Sequence, residues 1–241
     1  MTTITEHPKS GRVIKVLQIT DTHLFADNSG CLLGLNTEQS LEAVIENIRA
    51  NDLPADIILA TGDLVHDGTP AAYRRIFSHL GNFGLPVYCL PGNHDEALTL
   101  QQSLSDGLIQ YVEHAHHGNW HFIFLDSTIA DSEKAHLTRE TLQMLEKHLQ
   151  SAPETHTLVC LHHQPVPTGS KWLDTMAVDN AAEFLSLLEG YPQVRGVLWG
   201  HVHQQFDGHY NHIQLMSSPS TCVQFLPNSA DFAVDQRTPR T

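Results

Sequence analysis

Positive charge is scarce in this chain. Thirteen lysines and arginines stand against 27 aspartates and glutamates in 241 residues, a formal net charge of −14. Non-specific nucleic-acid binding needs a basic face, and the few cations are scattered in pairs such as Arg74-Arg75. No nucleic-acid partner is expected. No stretch approaches the ~18 consecutive apolar residues of a membrane span. The opening "MTTITEHPKSGR" lacks the apolar segment of a secretory signal. These absences predict a cytoplasmic chain with no membrane partner. Only four cysteines are present (Cys31, Cys89, Cys160 and Cys222), and none are spaced C-x-x-C. Cys89 and Cys160 lie in apolar runs, where a thiol behaves as a small hydrophobe, so reduced core cysteines are expected. No linker, repeat or low-complexity segment interrupts the chain, which reads as one domain over 1–241. Nothing in it sets an oligomeric state.

Histidine, by contrast, is abundant, with 18 residues. An acidic protein that acts on a phosphate anion needs positive charge from outside the chain, and bound metal cations supply it.

Apolar runs alternate with amphipathic ones. Strands are predicted over 13–20, 56–61, 86–91, 121–127, 156–162, 194–200 and 212–217. Helices are predicted over 37–50, 70–80, about 96–105, 138–150 and 179–189. The first opens at Asn36, with Gln39 three residues on, as in a capping box. Strands alternating with helices argue an α/β fold with a largely parallel sheet. In such sheets ligands bind beyond the carboxyl ends of the strands.

Chemistry-bearing residues sit at those ends. Asp21 and His23 follow the first strand, and Asp63 the second. Asn93, His94 and Asp95 follow the third, His162 and His163 the fifth, and His201 and His203 the sixth. An isolated Asp after a strand is commonly a helix cap or turn former. Five such ends in one chain are poorly explained that way. Asp, Asn and His together suit a first-row transition metal rather than Mg or Ca. They are too many for one tetrahedral zinc and fit two cations sharing a carboxylate.

The blocks D-x-H, G-D-x-x-x-D-G, G-N-H-D, a strand-end His and G-H-x-H occur in this order across residues 21–203. This set resembles the calcineurin-like metallophosphoesterases. "LQITDTHLF", "GLNTEQS", "LPGNHD", "LHHQPVPTGSKWLD" and "SPSTCVQF" further resemble the bacterial class III cyclic AMP phosphodiesterases. The resemblance implies a four-layer αββα sandwich with a dinuclear metal site at strand ends. It assigns Asp21, His23, Asp63 and His203 to one metal, and Asp63, Asn93, His162 and His201 to the other. Asp63 bridges. His94 is the catalytic residue, facing the phosphate, and His23, Asn93, His94 and His203 line the substrate. The metals implied are Fe or Mn, with Zn and Co also suited. The substrate implied is a cyclic nucleotide, cyclic AMP giving AMP. His163 is expected to be supporting or structural, Asp95 to brace an imidazole, and His66 and the His116-His117 pair to be surface or loop residues. Relatives continue into further strands after "STCVQF", whereas this chain stops at "DFAVDQRTPRT". That leaves completion of the sheet, and truncation of the C-terminus, open. Two rival functions are a broad-specificity phosphodiesterase or nuclease on the same fold, and a non-catalytic scaffold. The second would be expected to have broken ligand positions, and none is broken.

Overall fold

A computed structural model describes residues 13–104 and 107–236. Four parallel strands form a first sheet in the order β1–β4: Val16–Ile19 (β1), Ile57–Thr61 (β2), Val87–Leu90 (β3) and Ile109–Gln110 (β4). The second sheet has six strands: His114–His117 (β5), Trp120–Phe124 (β6), His156–Cys160 (β7), Val194–Trp199 (β8), Phe206–Tyr210 (β9) and Ile213–Ser217 (β10). Their order is β9-β10-β8-β7-β6-β5. The four inner strands are mutually parallel, and β5 and β9 close the edges antiparallel.

Side-chain alternation divides the strands among three apolar layers. In β2, Ile58 and Ala60 face helices α1 (Thr37–Asn51) and α2 (Pro70–Gly81), while Ile57 and Leu59 face the second sheet. Between the sheets, Ile57, Leu59, Tyr88 and Leu90 meet Phe122, Phe124, Leu158, Cys160 and Leu198. On the far side, Ile123, Val159 and Val197 pack on Leu142, Leu145 and Leu149 of Arg139–Ser151, and on Phe184, Leu185 and Leu188 of Ala181–Glu189. The result is a four-layer αββα sandwich. The single parallel sheet suggested by strand-helix alternation is in fact two, because strands buried on both faces read as continuous apolar runs in either sheet.

In chain order, the remaining helices are α3 (Ala97–Ser103), α4 (Arg139–Ser151), α5 (Lys171–Asp174) and α6 (Ala181–Glu189). Helix starts follow ordinary capping. Asn36 Oδ1 accepts the Gln39 N–H at 2.8 Å, and Thr69 caps α2 ahead of Pro70. Cys89, Cys160 and Cys222 are buried free thiols, while Cys31 is exposed. The last two residues of "STCVQF", Gln224–Phe225, pair antiparallel with Val234–Asp235, so a short strand follows that block. Among the described residues, no helix is long and apolar enough to cross a membrane.

Candidate metal centre

The strand ends converge through an unusual backbone. Asp21, His23, Asp63, His201 and His203 all adopt positive φ, between 45° and 63°. Non-glycine residues rarely enter this region, and strain of this kind clusters at functional sites. Each turns the chain sharply as it leaves a strand. The loops after β1 and β2 brace one another, Asp21 N–H donating to Gly62 O and His23 N–H to Asp63 O, both at 3.0 Å. Gly92 lies so close to these loops that a Cβ there would sit 2.7 Å from His162 Nε2 and closer still to Asp63. Only glycine fits.

The approaches are those of a ligand cage. Asp63 Oδ2 lies 3.6 Å from His23 Nε2 and 3.4 Å from His162 Nε2. Asp21 Oδ1 lies 3.4 Å from His203 Nε2, which is 3.3 Å from His23 Nε2. His201 packs against His162 with ring centroids 5.2 Å apart, and its N–H donates to Asp21 Oδ1 at 3.0 Å. Asn93 Oδ1, His162 Nε2 and His201 Nε2 are buried without a hydrogen-bond partner. The predicted histidine ligands thus gather around Asp63 and Asp21.

Their tautomers support the fit of a cation. His162 Nδ1 donates to Thr61 O at 2.9 Å and His203 Nδ1 to Val223 O at 2.7 Å. With Nδ1 so committed, each Nε2 faces a buried carboxylate and, once it holds no proton, offers a lone pair to a cation. Backbone carbonyls orient ligating imidazoles in this way. The separations match too, since two nitrogens bound at 2.0–2.1 Å in a tetrahedron stand about 3.3 Å apart. Without a cation, charge is balanced internally. Burial would raise Asp21 and Asp63, but the imidazoles of His203 and His162 outweigh it and hold both carboxyls low. Burial would lower His162, but Asp63 and Asp21 carry it up to about 9. Burial prevails at His23, pushed down to about 3, and holds His201 well below the usual range.

His94 is half-buried at the rim. Its N–H donates to Asp63 Oδ1 at 2.9 Å, and its ring meets the edge of His23 at a centroid distance of 4.9 Å. His66 is a loop residue, as expected, but its half-buried ring belongs to this group. It stacks on His94 at 4.7 Å and 23°, and its Nδ1 is 3.4 Å from His23 Nδ1. Its loop, "GDLVHDG", folds inward because Leu64 and Val65 are anchored in the core. His163 is fully buried, with Nδ1 2.9 Å from Ser127 Oγ, while its Nε2 is buried without a partner beside His162 and His201. Phe225 stacks on His203 at 4.2 Å and 15°, a support that the sequence did not flag.

Asp95 departs from expectation. It braces no imidazole but accepts the N–H groups of Leu64, Val65 and Gly92 and the Tyr73 hydroxyl, at 2.9–3.3 Å. It ties the Asp63 loop to the Asn93 loop. Asp95→Ala would leave these buried donors without an acceptor, each costing about 1–3 kcal/mol. Chemical denaturation of the metal-free chain should show a loss of about 3 kcal/mol or more.

Comparison with known proteins agrees with this geometry. The family model for calcineurin-like phosphoesterases matches residues 14–205. A 3',5'-cyclic adenosine monophosphate phosphodiesterase of Vibrio vulnificus is 41% identical over 227 residues, covering 94% of this chain and 83% of that one. A 3',5'-cyclic-nucleotide phosphodiesterase of a Nostoc species is 38% identical, covering 94% and 85%. Among solved structures, a dimetal phosphatase of Danio rerio superposes with a TM-score of 0.65 at 15% identity, covering 93% and 92%, a likeness of fold. With this fold, these strand-end motifs and relatives near 40% identity along its length, the chain belongs to the calcineurin-like metallophosphoesterases.

Proposed function

We propose that this chain, acting as one catalytic domain over residues 1–241 in the cytoplasm, hydrolyses the cyclic phosphodiester of 3',5'-cyclic AMP to give AMP. Two divalent cations serve the reaction, with iron and manganese the first choices and zinc and cobalt also suited to these ligands. One is held by Asp21, His23, Asp63 and His203, the other by Asp63, Asn93, His162 and His201. The observation that carries this reading is the pair of imidazoles, His162 and His203, whose Nδ1 atoms are committed to backbone carbonyls while each Nε2 faces a buried carboxylate at 3.4 Å.

When bound, the cations lower the pKa of a water and neutralise phosphate charge. The protein's own groups do the rest. The positive-φ turns fix the ligand side chains before substrate arrives, so little reorganisation is needed during reaction. His23, Asn93, His94 and His203 line the substrate side. His94 is placed to protonate or stabilise the ribose oxygen as it leaves, and His66 stacks on that ring and holds its plane. The substrate reading also rests on the named relatives. It is tested by assaying cyclic AMP, cyclic GMP, a linear dinucleotide and bis-p-nitrophenyl phosphate side by side. Cyclic AMP should give the highest kcat/KM and AMP as sole product. A preference for the linear dinucleotide would replace this reading with a nuclease.

A pH dependence follows from His162. Because the carboxylates hold it near 9 in the metal-free chain, it carries a proton at pH 7 that a cation must displace. Metal uptake by the metal-free chain should release close to one proton from this residue, and apparent affinity should weaken about tenfold per pH unit lost. Activity at limiting metal should fall progressively as the pH drops below about 9, and added metal should restore it. A pH-stat titration with Mn2+ measures the proton directly, and a pH profile unaffected by metal concentration would contradict the scheme.

A further inference from the structure

A second group of imidazoles lies away from the strand-end centre. His114 on the edge strand β5, His121 on β6 and His148 in the last turn of α4 come together on the outer face of the second sheet. One nitrogen from each falls within 4.8 Å of the others. His121 pairs with Thr157, five residues before His162, so the two clusters stand about 16 Å apart along the strand direction. His116, predicted with His117 as a surface or loop residue, is instead a strand residue. Its ring stacks on His121 at 4.2 Å and 13°.

Two observations, the ring spacing and the Glu113 carboxylate, go beyond ring packing. His114 Nδ1 and His121 Nε2 are 3.2 Å apart, close to the ~3.3 Å edge of a tetrahedron with 2.0–2.1 Å metal–nitrogen bonds. His121 is fully buried, and its Nδ1 has no hydrogen-bond partner. The Glu113 carboxylate lies 3.5 Å from His148 Nε2, the kind of partner that orients a ligating imidazole. A cation held at His121 Nε2 would leave that ring's Nδ1 unpaired, so what points to a cation is the spacing of the three rings and Glu113. An all-imidazole site selects Zn2+, Ni2+ or Cu2+ over Mg2+ or Ca2+.

We propose that His114, His121 and His148 hold one transition-metal cation of the Zn2+ class, which ties the edge strand β5 to helix α4. Its role is structural. Edge strands are weakly held, and β5 is bonded to only one neighbour, β6. Burial and the neighbouring imidazoles hold His121 down to about 3 and His114 below its usual value, so both stay neutral, as ligands must.

Equilibrium dialysis of the full chain against Zn2+, followed by elemental analysis, tests this. The double variant His114→Ala/His148→Ala should bind one Zn2+ fewer per chain than the unaltered protein. With Mn2+ supplied it should keep its cyclic AMP turnover. Zn2+ should also raise the melting temperature of the unaltered chain more than that of the variant. Equal Zn2+ content in the two chains overturns the proposal. Should the double variant fail to fold, His148→Gln alone removes one ligand from the partly exposed side. It should weaken the extra Zn2+ by at least about tenfold, and unchanged affinity would overturn the proposal equally. The test is separable from the strand-end centre. In an Asp63→Ala background the extra Zn2+ should persist and still be removed by the histidine substitutions.

Discussion

Asp63→Ala should release both cations of the strand-end centre and lower cyclic AMP turnover by about 10³-fold or more, the equivalent of several kcal/mol of charge stabilisation. Asp63 is the one residue proposed to ligate both cations. Asp63 Oδ2 stands 3.6 Å from His23 Nε2 and 3.4 Å from His162 Nε2, while Oδ1 anchors the His94 N–H at 2.9 Å. Removing the carboxylate therefore strips a shared anionic ligand and loosens the G-N-H-D loop together. His203→Ala should behave differently. Its Nε2 approaches Asp21 and His23, so it should weaken mainly one cation. Metal content by mass spectrometry, measured beside turnover, separates the two variants. An Asp63→Ala chain retaining two cations and near-normal turnover would remove the bridging role.

His94→Ala should keep its cations and its melting temperature while kcat falls by about 10²–10⁴. The His94 ring is half-buried at the rim, and its contacts are with the His23 and His66 rings rather than with the buried carboxylates. A group acting only on the reacting phosphate contributes in the transition state and little to folding. Substrates divide its two possible roles. A p-nitrophenolate leaving group needs little protonation, so a general acid predicts a much smaller loss on bis-p-nitrophenyl phosphate than on cyclic AMP. Equal losses assign charge stabilisation instead. Loss of metal in the variant would make His94 a ligand and end the catalytic reading.

The convergence of the candidate residues was legible because each follows an apolar run, and sheet geometry gathers such ends on one rim. The backbone there was not. Nothing in "QITDTH" or "WGHVH" announces that Asp21, His23, His201 and His203 take positive φ, because tertiary contacts impose a conformation that local propensity disfavours. β1 consequently ends at Ile19 rather than Thr20. His66 was read as a surface or loop residue and does lie in a loop, but its approach to His23 and His94 was not legible, because the pull of Leu64 and Val65 into the core is a long-range effect. Asp95 looked like an imidazole partner by adjacency, yet its acceptors serve backbone N–H groups some 30 residues away in sequence. β5 went unseen because "HAHH" offers no apolar alternation. Its pairing with Trp120–Phe124 supplies the strand instead. The polar "FDGHY" of β9 escaped notice for the same reason, as an edge strand bonded only to β10.

The most direct test of a dinuclear hydrolytic centre is to titrate the metal-free chain with Mn2+ while following AMP release from cyclic AMP. Manganese suits the mixed carboxylate, amide and imidazole ligands at the strand ends and favours an all-imidazole site less. Turnover should be negligible at the start and should saturate when two Mn2+ are bound per chain. Turnover in the metal-free chain, or saturation at one bound cation, would contradict a centre built on Asp63 as the shared ligand.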